Sequence, residues 1–119
     1  MKKSDKKLEK GLREALTRIC DEALESVPGF VWITHLVNFN RFPDSLKVVC
    51  VFETDDGLSN ACKAKHDERL RHVIANELKT VGVTLKNQNR QVVFDTEEAC
   101  QRSHDGKWGE RLTPIQTLH

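Results

Sequence analysis

No stretch of this chain approaches the roughly 20 consecutive apolar residues needed to cross a bilayer. Its lysine-rich start leads into charged sequence, not into the apolar run of a secretory signal. Both absences point to a cytoplasmic protein that meets no membrane. The four cysteines (Cys20, Cys50, Cys62 and Cys100) include no CxxC pair, so the spacing of a zinc site is missing. In a reducing cytoplasm they read as free thiols, with Cys20 and Cys50 as small core hydrophobes. Net charge is nearly absent, +1 in total, which gives no global pull toward nucleic acid. Any basic face must therefore be assembled by folding. Residues 53–68 hold five acids against two bases, and residues 69–119 eight bases against six acids.

The motifs of common catalysis are missing as well. There is no nucleophile elbow, P-loop or dinucleotide fingerprint, and no local Ser or Cys arrangement with a base and an orienting acid. The histidines, His35, His66, His72, His104 and His119, form no HxxxH or HExxH pair. Cys62 and His66 stand four apart, a spacing best read as accidental, and His35 on an apolar face reads as a hydrogen-bonded structural histidine. We therefore expect no catalytic residue, no metal and no cofactor. Internal repeats and low-complexity linkers are also absent.

What is present is a single domain's worth of sequence, 119 residues with 38% hydrophobic and 31% charged content. Its centre is Phe30–Thr54, read as two strands joined by a turn. The second, Leu46–Glu53, is apolar on both faces: Leu46, Val48, Cys50 and Phe52 on one, Val49 and Val51 on the other. Such a strand belongs inside its sheet. In the first strand, alternation puts Val31, Ile33, Val37 and Phe39 with His35, and Phe30, Trp32 and Leu36 on the opposite face. Asn40 to Ser45, with Pro43, is turn chemistry.

Before this centre, Leu8, Leu12, Leu16, Ile19, Ala23 and Val27 predict an amphipathic helix over Asp5–Ser26, capped by Ser4 or Asp5 and stopped by Pro28-Gly29. Gly11 inside it suggests a close approach of another backbone. The lysines at 2, 3, 6, 7 and 10 read as a solvated helix end. After the centre, Leu58–Val81 reads as helical with a break near Lys65–Asp67, and Gly82 as its C-cap. Arg90–Asp95 is a short third strand, and Thr96 caps a helical turn. From Ser103 periodicity is lost; Trp108 and Leu112 are expected to dock, with the last residues mobile. The order α-β-β-α(α)-β, with a right-handed crossover, predicts a small α+β domain. Its three-stranded mixed sheet has the second strand central, the third parallel to it, and helices on one face.

This order and three stretches resemble the type II KH domain, and within it the ribosome-binding factor A family. The stretches are the Pro43-Asp44-Ser45-Leu46-Lys47 turn, Arg69-Leu70-Arg71 followed by Ile74, Glu77 and Leu78, and Arg90–Glu98, RQVVFDTEE. The chain has no GxxG between its middle helices, and Ala64-Lys65-His66 stands where that family has an Ala-x-Gly kink. The resemblance implies a KH type II-like domain over residues 1–102 and a C-terminal extension over 103–119. It also implies a non-catalytic, bacterial role on structured RNA or a ribosomal subunit. Lys65, Arg69, Arg71 and His72 would then lie at the helix junction that faces RNA, Arg and Lys being the usual phosphate ligands. The chain is also similar to small bacterial proteins labelled Fis-type transcriptional regulators, although no helix-turn-helix is legible. The competing reading is a protein adapter or homodimer anchored by Trp32 or Trp108.

Overall fold

A computed structural model describes residues 3–117. The elements are α1 (Lys3–Ser26), β1 (Phe30–Leu36), β2 (Lys47–Phe52), α2 (Asp55–Lys63), α3 (His66–Lys79), α4 (Gln88–Gln91), β3 (Val92–Thr96), α5 (Glu97–His104) and α6 (Trp108–Thr117), with a 3-10 turn at Phe39–Arg41. The sheet order is β1-β2-β3; β1 pairs antiparallel with β2, and β3 parallel to it. Cys50 at the middle of β2 faces Ile33 on one side and Phe94 on the other. The doubly apolar strand is thus central, and the fold is the expected α+β domain with a mixed three-stranded sheet.

Two apolar layers flank β2. On one face Val48, Cys50 and Phe52 meet Leu12, Leu16 and Ile19 of α1 and Ile74 and Leu78 of α3. On the other, Val49 and Val51 meet Leu36 and Leu112, with Val31, Trp32, Val93 and Trp108 around them. Burying each such aliphatic or aromatic side chain contributes about 1.5–3 kcal/mol. The helices expected on one face are α1 and α3. The structure adds α6 on the second face, over a stretch read as aperiodic although Trp108, Leu112 and Ile115 recur at spacings of four and three. The extension after residue 103 is thus helical and docks through Trp108 and Leu112; residues 118 and 119, read as mobile, lie outside the described residues.

The alternation of β1 is corrected by a bulge between Phe30 and Trp32. The extra residue shifts the phase of the strand. Phe30 joins Ile33 on the α1 side, while Val31 and Trp32 both turn to the second face. Phe30 thereby meets Phe52 edge-on, with centroids 5.9 Å apart. Strand β1 also ends at Leu36, and Phe39 falls in the 3-10 turn. At the other end, α1 already includes Ser4 and Asp5, so neither stands before the helix as a cap.

Local chemistry sets most boundaries. Ser45 Oγ donates to the Asn38 carbonyl at 2.7 Å and accepts from its N–H at 2.9 Å, closing the β1–β2 turn. Gly82, at φ +82, ends α3, and the Val83 N–H returns to the Leu78 carbonyl at 2.9 Å. Thr96 accepts from the Ala99 N–H at 2.9 Å and donates to Asp55 at 2.6 Å, so one hydroxyl caps α5 and ties it to the start of α2.

Candidate nucleic-acid interface

The break between α2 and α3 is made by Lys65, which takes a left-handed conformation at φ 62. A non-glycine residue there costs roughly 1–2 kcal/mol. No side chain caps α3 at this point. The kink sets Lys65 at an outer corner, and α3 runs on from it with Leu70, Ile74, Ala75 and Leu78 buried.

Arg69 and His72, three apart, share one side of α3, and Lys65 stands at the break just before it. All three are exposed, and Asn76 continues the row. None of the three makes an ion pair among the described residues. The row is therefore a line of donors facing solvent, with Glu68 as its acidic neighbour.

Arg71 does not belong to it. Two residues beyond Arg69 is more than half a turn away, and its side chain is 22% exposed. The guanidinium lies over the Phe94 ring at 4.9 Å and approaches Asp67 at 3.6 Å. Its Nε is buried without a hydrogen-bond partner among the described residues, as is Nδ1 of His66. Arg71 thus packs α3 onto β3, and the four residues read as one site separate into an exposed three and an inward one. Beneath it, burial pushes the Cys50 thiol up to about 12, with the Arg71 charge pulling in the opposite direction. Cys62 is exposed, and residual desolvation, then Asp67, raises its thiol too.

Trp32 and Trp108 are brought together. Their rings meet edge to face, and both indole N–H groups donate to the Glu97 carboxylate, Trp108 at 3.1 Å. Beside them Arg111 grips Asp95 with two bonds of 2.7 and 2.9 Å and donates to Ser103 at 2.6 Å. Hydrogen bonding to Asp95 raises the Arg111 pKa. Glu97, Asp95 and Arg111 carried no sequence signal, because each acts on a residue from another element.

His35 reaches Glu9 of α1 at 3.1 Å, a strand-to-helix link. His119 and Lys2 lie outside the described residues. Among the described residues no three His, Cys, Asp or Glu side chains gather as metal ligands, and no helix is long and apolar enough to cross a membrane. Comparison with protein-family models, curated proteins and solved structures finds no match for this chain.

Proposed function

We propose that this protein is a non-catalytic RNA-binding protein that acts on structured RNA or a ribosomal particle through the exposed side of α3. The observation that carries the reading is the row Lys65, Arg69 and His72, solvent-facing and without ion pairs among the described residues, at a helix junction. Two lesser observations support it. The element order and mixed sheet agree with what the KH type II resemblance implies. The left-handed Lys65 also falls at the Ala64-Lys65-His66 position that corresponds to that family's kink. Arg71 supports the row from behind, holding α3 against Phe94.

Salt dependence tests this. Phosphate contacts on single strands lower log K against log salt with a slope of about −0.7 each. Replacing Lys65, Arg69 and His72 by Ala should weaken RNA binding and flatten the slope by about 1.4, for two full charges. Sequence preference should barely move, since such contacts position the chain. A variant lacking Lys6, Lys7 and Lys10 should retain most affinity; equal loss in both would reduce the binding to diffuse electrostatics. Co-sedimentation with ribosomal subunits from lysate tests the particle.

The adapter or homodimer reading draws on the partial exposure of Trp32 and Trp108. It requires that Trp108→Ala abolish self-association or partner capture in a folded domain. A monomer at high concentration in sedimentation excludes the homodimer.

A further inference from the structure

Most exposed charges of α1 run against its dipole, although Asp5 in its first turn follows it. Lys6, Lys7, Lys10 and Arg13 are exposed in the half that begins at the positive end. Asp21, Glu22 and Glu25 are exposed toward the other end, where the last turn holds no base. Helix stability favours the reverse order. Glu9 in the basic half is turned to His35, and Glu14 pairs with Lys10 at 3.9 Å. Lys6, Lys7 and Arg13 make no ion pair among the described residues, so this half presents cations to solvent.

Beside them lies a groove of about 640 Å³ lined by Lys7, Leu8, Lys10, Gly11, Glu14 and Val81. Gly11 makes it: a Cβ there would stand 3.3 Å from the Val81 Cβ, tighter than ordinary contact. The missing side chain lets Val81, just past α3, lie on the α1 backbone. Leu8 and Val81 rest on the main core yet are only partly buried, so the groove has an apolar floor and a rim of Lys7, Lys10 and the Glu14 that pairs with Lys10, with Lys6 and Arg13 adding to the positive charge of the same half-helix.

We propose that this groove docks an acidic, amphipathic segment of a protein partner. One or two large apolar side chains lie on Leu8 and Val81, and flanking carboxylates pair with Lys7 and Lys10. Charge complementarity selects an anionic occupant. The apolar floor selects a peptide over a phosphate backbone, which would engage the lysines and leave Leu8 and Val81 wet. The groove is at the opposite end of α3 from Lys65, about 20 Å along the helix, so it is separate from the RNA-binding row.

The probe is a labelled helical peptide with two leucines four positions apart among glutamates, titrated by fluorescence anisotropy against the full chain. Amide shifts of Gly11 and Val81 locate the contact. We expect binding that shifts those amides and weakens about tenfold or more in Lys7→Glu/Lys10→Glu. A similar loss is expected when the peptide leucines become serine, a change that leaves the protein intact. Equal binding by the serine peptide would reduce the effect to charge alone and overturn the proposal. So would unchanged binding to the double variant, no binding, or shifts confined to Lys65 and Arg69. Tighter engagement of Gly11 and Val81 by oligouridine or by phosphatidylglycerol vesicles would also overturn it. The Lys65, Arg69 and His72 variant should bind the peptide normally, so failure of the RNA reading and failure of this one are told apart.

Discussion

The indole rings of Trp32 and Trp108 stand edge to face, 4.8 Å between centroids and 83° between planes, with one carboxylate, that of Glu97, accepting from both. The contact joins the bulged edge strand to the last helix. With Leu112 one turn further on, it fixes the face by which α6 docks.

Glu97→Ala removes the shared acceptor and leaves two half-buried donors to find water. The expected loss is about 1–2 kcal/mol of unfolding free energy. With two tryptophans and no tyrosine in the chain, fluorescence and near-ultraviolet dichroism above 290 nm report this contact directly. An unchanged spectrum with unchanged stability would mean that the carboxylate does not hold the pair.

Gln91 is buried at the end of α4, just before β3. Its amide donates to the Pro43 carbonyl at 2.9 Å and the Leu46 carbonyl at 3.1 Å, and its carbonyl accepts from the Asn87 N–H at 3.0 Å. Gln91→Leu leaves three backbone groups without that partner. We expect about 2–4 kcal/mol of destabilisation in urea unfolding, well beyond that of a surface Gln→Leu change such as at Gln101. Equal effects at both positions would contradict the network.

Asp55 titrates low. The Thr96 hydroxyl, then Arg102, favours its carboxylate and holds its pKa below 3.8. The sign follows: a group lowered in the folded state contributes stability above its unfolded pKa. That contribution is lost as pH falls through the folded value. Asp55→Asn should therefore flatten the acid limb of stability below about pH 4. Thr96→Val should move the Asp55 carboxyl titration upward in NMR. A carboxyl titrating at or above 3.8 in the native protein would refute the assignment.

Thiol labelling should sort the four cysteines by burial. Cys62 is exposed, whereas Cys50 and Cys100 are buried. At neutral pH Cys62 should react first with a disulfide reagent in the native state and the half-buried Cys20 after it, both more slowly than a free thiol because burial raises their pKa. Cys50 and Cys100 should wait for unfolding. Fast labelling of Cys50 would mean that the sheet face opens.

Lys65→Gly should stabilise the domain by roughly 0.5–1 kcal/mol, since glycine takes the left-handed conformation without the Cβ clash. Lys65→Val should do the opposite. If thermal unfolding ranks them the other way, the kink is not where the strain lies.

Periodicity, caps and turn residues are local, and what depended on them was legible in the sequence. The doubly apolar Leu46–Glu53 strand implied a neighbour on each edge. Gly82 marked the end of α3, Thr96 the start of α5, and the weak stretch at Lys65–Asp67 the kink. In the sequence Lys65, Arg69, Arg71 and His72 read as one basic group; which of them are exposed came with the structure. Tertiary structure decided the rest, because the deciding contacts join residues distant in sequence. The bulge at Val31 and Trp32 exists because Phe30 packs edge-on against Phe52 on the face opposite the tryptophans. Arg71, spaced three and four from the buried Ile74 and Ala75, turns inward onto Phe94, which β3 brings beneath α3. Helix α6 owes its place to Trp32, Asp95 and Glu97, three residues whose roles appear once the sheet carries them to one corner.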